Sequence, residues 1–188
     1  MRGSAFIAVA AVCATAAGDA AAAPAAPPSC PAADRVPSDA TAAQAGASVA
    51  CLLDAARAGR DLPALRRDPH LRAAAQEFAR SLAPGRPLRH TGAGGSTPLQ
   101  RLAAAGYPRR AGLSASETLG RGDGSYATPA IRVQTWLGDP ATRRLLLSAR
   151  YRDVGVGVVT RAGATTYVVE LARRTPVSRA STGSRPQR

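Results

Sequence analysis

The chain has no lysine and no asparagine, and only two histidines, three glutamates and three cysteines among its 188 residues. Aromatic side chains make up 4%. Each shortage excludes something. Two histidines, His70 and His90, rule out a His-rich metal centre by counting. No run of about 18 apolar residues lies beyond the N-terminus, which excludes a polytopic membrane protein. There is no Gly-x-Ser-x-Gly nucleophile elbow. The run Gly92-Ala-Gly-Gly95 lacks a following Lys-Ser/Thr, so it is no phosphate loop.

What is present is alanine, 44 residues of it, and arginine, which supplies all 25 basic side chains. That vocabulary points to GC-rich coding more than to selection for arginine. The net charge of +13 is not gathered into a helix-long stripe with interleaved aromatics, so no specific nucleic-acid site is expected. Arg173, Arg174, Arg179, Arg185 and Arg188 fall in a C-terminal stretch without an acidic residue. Residues 175–188 read as a disordered basic tail. Weak, salt-dependent adhesion to anionic envelope polymers follows from it.

Residues 1–26 read as an export signal. Arg2 is a minimal positive start, Ala5 to Ala17 a short apolar stretch, and the alanines near 20–23 a cleavage zone, placed between 17 and 26. Cys13 lies inside the apolar stretch and leaves with it. A Pro/Ala-rich leader occupies 27–44. Two cysteines remain, Cys30 and Cys51, and an even count in an oxidising compartment reads as one disulfide. It closes a loop of about 20 residues, worth roughly 3 kcal/mol by the chain-entropy estimate. The expected product is secreted and monomeric.

The ordered domain is expected over 45–174. Val49, Leu52, Leu53 and Ala56 repeat at helical spacing, with Gly59 as a stop. Asp68-Pro69 starts a second helix that buries Leu71, Ala74, Ala75, Phe78 and Leu82. Short helices are expected over 97–105, 128–137 and 141–147. The period then changes. Val154, Val156 and Val158 alternate with Gly155, Gly157 and Val159, and Tyr167 to Leu171 is rich in β-branched residues. Arg161 to Ala164 joins the two as a hairpin. Helices first and a ribbon last describe an α+β domain with helices packed on a sheet.

The order of motifs goes further. Cys51-Leu-Leu-Asp-Ala-Ala-Arg57, Leu62-Pro-Ala-Leu65 and Asp68-Pro-His-Leu71 resemble the opening of bacterial CAP (SCP-type) domains. These are relatives of cysteine-rich secretory proteins, antigen 5 and plant pathogenesis-related proteins. The resemblance continues through Leu88-Arg-His-Thr-Gly92, Arg101 to Tyr107, Glu117 to Gly122, Trp136-Leu-Gly-Asp-Pro140 with Arg143, and Arg152 to Val158. It covers about 125 residues and implies a three-layer α-β-α sandwich.

The resemblance also implies a cleft with two histidines and two acids, able in some members to take a divalent cation. His90 matches the first histidine, and Glu117 matches the glutamate of the usual Glu-Asn-Ile segment, its asparagine replaced by Thr118. Thr142 stands where the second histidine is expected, so a histidine introduced there should face His90 and Glu117. No acid occurs from Thr91 to Ser116. One imidazole and one carboxylate fall short of the three or four ligands a transition metal needs. No cofactor is expected, and a divalent cation only weakly. His70, beside Asp68, reads as a capping or solvent residue. Glu117 and Glu170 as a glycosidase pair would both have to line one groove, and Trp136 and Tyr107 read as core anchors. The resemblance therefore implies a secreted binding or interaction module for a small lipid-like ligand or an envelope or host component, without robust catalysis. The alternative is a divalent-cation-dependent hydrolase using His90 and Glu117.

Overall fold

Val154, Val156 and Val158 present their side chains to one face of a strand, and Gly155 and Gly157 present none to the other. That alternation sets how this chain layers, as seen in a computed structural model that describes residues 29–82, 84, 85, 87–108 and 113–173. The export-signal reading, Cys13 and the tail 175–188 lie outside the described residues.

Five helices and four strands are arranged as α1 (Ala42–Ala58), β1 (Arg66–Arg67), α2 (Pro69–Ser81), α3 (Pro98–Ala104), β2 (Ser114–Asp123), α4 (Pro129–Gly138), α5 (Pro140–Leu146), β3 (Asp153–Arg161) and β4 (Ala164–Arg173). Four of the helices start alike, with an Asp or Thr N-cap followed by proline at the first turn: Asp68, Thr97, Thr128 and Asp139. Each cap side chain accepts a backbone N–H that the first turn would leave bare. Helix α1 starts at Ala42, inside the stretch read as leader.

The sheet order is β1-β3-β4-β2. β3 and β4 form the expected antiparallel hairpin, with Arg161 opposite Ala164. β2 pairs antiparallel with β4 along all its ten residues, and β1 adds a two-residue parallel pair to β3. On one face Val154, Val156, Val158, Tyr167, Val169 and Leu171 pack with Val49 and Leu53 of α1, Trp136 of α4 and Leu146 of α5. On the other, Val168 meets Phe78 and Ala75 of α2, and Ala172 meets Leu71, Leu102 and Tyr107. This is the three-layer α-β-α sandwich.

Trp136 and Tyr107 are core anchors with satisfied polar ends. Trp136 donates Nε1–H to Leu119 O at 2.9 Å, and Tyr107 donates its hydroxyl to buried Asp153 at 2.7 Å. Cys30 and Cys51 form the disulfide, Cα atoms 5.7 Å apart. It ties the segment before α1 to the middle of that helix, where Ser48 also donates to Pro31 O.

Candidate functional site

β2 carries Glu117 on the face toward α2 and α3, between Ala115 and Leu119, whose side chains join the clusters on that side. The Glu117 side chain is 1% exposed. A buried carboxylate must be paired or protonated, and Glu117 is paired at both oxygens. His90, in the loop after α2, lies 2.7 Å from Oε1 through Nδ1. Arg101 of α3 donates Nη2–H to Oε2 at 2.5 Å. With Nδ1–H donating to the carboxylate, the ring turns Nε2 outward, and the imidazole is 61% exposed. This exposed imidazole edge beside a buried carboxylate can offer a hydrogen bond to a ligand.

Arg101 organises this loop. Its guanidinium lies 3.5 Å from the Phe78 ring centroid, a cation–π contact. Nη1 donates to Ser96 O at 2.8 Å and Nη2 to His90 O at 3.0 Å. Gly92 packs closely here: a Cβ would stand 2.5 Å from Ser96 Oγ, which would have to rotate away, and 3.2 Å from the Phe78 ring. One side chain thus fixes the loop on both sides of the glycine run and holds Glu117.

Directly across the sheet, Glu170 of β4 is in register with Glu117. It is fully buried, and no hydrogen-bond donor reaches either of its oxygens. Burial first, and the neighbouring Glu117 charge and contact second, push the Glu170 carboxyl far above the usual carboxylate range, against a smaller opposing effect of Arg101. The carboxyl is therefore held in its protonated form at neutral pH.

Of the residues the sequence singles out, His90 and Glu117 come together. Thr142 does not join them. It sits in the first turn of α5, its N–H bonded to Asp139 Oδ1 at 2.7 Å. α5 packs on α4 and contributes Leu146 to the opposite face of the sheet. Among the described residues no hydrogen bond or ion pair joins Thr142 to His90 or Glu117. His70 bonds Ala105 O through Nδ1 at 2.8 Å, pinning the end of α3 to the start of α2. The sequence assigns no role to Arg101, which lies inside a motif, and weighs Glu170 only as a glycosidase partner of Glu117, although an acid inside an apolar strand is a readable signal.

The divalent cation implied by the resemblance does not fit this donor set. A guanidinium occupies one Glu117 oxygen and an imidazole nitrogen the other. Among the described residues no group of three or more His, Cys, Asp or Glu could hold a metal ion.

The profile of the cysteine-rich secretory protein (CAP) family matches residues 52–171, well over half of the chain. The chain belongs to the CAP family. Similar folds include an extracellular SCP-domain protein of Bacillus anthracis (TM-score 0.58, 20% identity, covering 67% of this chain and 39% of that one). An outer surface protein of Borrelia burgdorferi is similar at TM-score 0.56 and 23% identity, covering 68% of this chain and 90% of that one. A cysteine-rich secretory protein of Staphylococcus aureus is similar at TM-score 0.53 and 15% identity, covering 70% and 39%. The matched part of this CAP chain spans about two fifths of the B. anthracis and S. aureus proteins. No curated protein matches it. Among the described residues no helix is long and apolar enough to cross a membrane.

Proposed function

We propose that this CAP protein is an exported binding module of the cell envelope or its surroundings, with no robust catalysis. The observation that carries the reading is the double engagement of Glu117. A carboxylate held by Arg101 and His90 is a structural strut, and a poor base or metal ligand while those bonds last. Recognition then falls to the exposed His90 edge and to apolar surface. A shallow depression of about 480 Å³ between α1 and α4, lined by Leu52, Val133 and Leu137, offers a seat for a small apolar ligand. Export is supported by the signal-like N-terminus, by the Cys30–Cys51 bond, and by the extracellular and outer-surface character of the similar proteins.

The competing reading, a cation-dependent hydrolase, has one observation in its favour: buried Glu170 stands beside Glu117 as a second acid. Calorimetric titration with zinc separates the two. The expected result is no submicromolar binding in the natural protein, and no gain in Thr142→His, because position 142 belongs to the other layer. Submicromolar binding that disappears in His90→Ala would favour the hydrolase.

A further inference from the structure

Residues 30–37 form a strap that touches the middle of α1, the start of α4 and the far end of β3. Cys30 is bonded to Cys51, and Ser48 donates to the carbonyl of Pro31. Ala33 O accepts the Ala130 N–H at 2.9 Å, and Pro37 O accepts the Thr160 hydroxyl at 3.4 Å. Ala130 lies in the first turn of α4, where the Thr128 cap serves Ile131 instead. Its N–H is one of the donors a helix start leaves bare, and the strap satisfies it.

The strap is held differently from the layers it touches. No residue from 30 to 38 belongs to a core cluster, and Val36, its largest apolar side chain, is 53% exposed. Only Ala33 and Pro37 are buried, while Cys30 and Cys51 are both partly exposed. The turn after Cys30 is also strained. Ala33 N–H donates to Cys30 O at 3.2 Å, which puts Ala32 at a central position with a φ of 58°. That left-handed conformation suits glycine and disfavours a residue with a Cβ. A segment with so little apolar burial, a few hydrogen bonds and a strained turn depends on its covalent tie.

The strap also bounds the apolar depression between α1 and α4. Leu52, next to Cys51, and Ala130, which Ala33 holds, both line that depression. A smaller cavity of about 110 Å³ lies under the strap itself, between Ala32, Val36 and Pro37 on one side and Gln44 and Ala45 of α1 on the other.

We infer that residues 30–37 are a reducible latch: cleavage of the Cys30–Cys51 bond frees the strap and opens the depression to a small apolar ligand, a step that rests on the reading of that depression as the ligand seat. The reductant is a dithiol. One of its thiolates attacks a sulfur of the Cys30–Cys51 bond, and its second thiol resolves the mixed disulfide. The dithiol leaves as its own disulfide, while Cys30 and Cys51 each take up a proton. Release spares the core clusters, which contain no strap residue, but uncovers the Ala130 N–H and the Ala45 side of α1.

The test compares the full chain before and after dithiothreitol, together with a Cys30→Ser/Cys51→Ser variant. Amide hydrogen exchange and titration with the uncharged fluorophore N-phenylnaphthylamine are the readouts. Reduction is expected to speed exchange at the Ala130 amide about tenfold or more, with the β3 and β4 amides unchanged. Fluorophore binding should tighten by about tenfold. Gln134→Trp, at an exposed position in the lining, should fill the depression and abolish that gain. If the double variant fails to fold, the reduced natural protein decides alone. Unchanged exchange at Ala130 would overturn the latch. Exchange that speeds equally in β3 and β4 would mark the bond as a staple of the whole fold and overturn it too. Equal fluorophore affinity in the two states would overturn the latch and leave the ligand seat standing. Binding in neither state would remove the seat and the latch together, and a gain that survives Gln134→Trp would place the ligand elsewhere and equally overturn the inference.

Discussion

At the scale of single residues, the pair Glu117 and Glu170 shows how much one neighbour decides. Both are glutamates, buried, and opposite each other in the ladder. One receives a guanidinium and an imidazole; the other receives nothing and keeps its proton. The consequence for stability has a definite sign. Below pH 4.5, the ordinary value for this carboxyl, Glu170 is protonated in folded and unfolded chains alike and costs nothing. As pH rises the unfolded chain ionises first, and stability falls by about 1.4 kcal/mol per pH unit until the folded carboxyl also loses its proton. Glu170→Gln removes that slope. Urea melts at pH 5 and pH 8 should show the variant more stable than the natural protein at pH 8, with the difference shrinking at pH 5. Equal slopes for both proteins would show that Glu170 is solvated or already ionised.

At the scale of elements, the Val-Gly alternation of β3 seats α2. A Cβ on Gly155 would come within 2.1 Å of the Leu71 carbonyl carbon, and one on Gly157 within 2.2 Å of that of Ala75. Both contacts are with helix backbone, which cannot rotate aside. Gly155→Ala should therefore cost about 3 kcal/mol or more, read as a lower urea midpoint with an unchanged slope. A loss below about 0.5 kcal/mol would mean that α2 stands further from the sheet. The loop from α5 to β3 is held differently. Fully buried Arg57 of α1 donates to the carbonyls of Pro63, Leu146, Ser148 and Tyr151. Nothing in the stretch Cys51 to Arg57 marks this role in advance. Likewise β2, Ser-Ala-Ser-Glu-Thr-Leu-Gly-Arg-Gly-Asp, has neither alternation nor β-branched enrichment. It is a strand because β4 offers it a full ladder, a long-range pairing that local propensity does not encode.

At the scale of the whole molecule, the Cys30–Cys51 bond closes a separation of 21 residues. Loop closure of that size stabilises by about 3 kcal/mol, which corresponds to a melting temperature lower by roughly 6–12 °C once it is lost. The core clusters contain neither cysteine, so a Cys30→Ser/Cys51→Ser protein should keep its circular dichroism spectrum while melting earlier. Intact mass of secreted protein, alkylated without reduction, should reveal no modified thiol. Two alkylated cysteines would remove the bond, and retention of Met1 in a cytosolic product would remove export.

Composition and periodicity by themselves determined the layer class, the helix starts at Asp68, Thr97 and Thr128, the β3–β4 hairpin and the cysteine pair. Each is a local matter: caps, proline at the first turn, alternation of side chains, and parity of thiols. The order of motifs brought His90 and Glu117 forward as partners, and the fold places them 2.7 Å apart. Only the tertiary structure decided the rest of the site. Arg101 and Glu170 come beside Glu117 from α3 and from a strand paired in register, while α5, which carries Thr142, packs on α4. That Gln76 of α2, and not a longer β1, bonds Val158 on the edge of β3 is likewise a tertiary matter. Such placements follow from which strand lies beside which, and pairing between segments 50 residues apart leaves no period in the sequence to read.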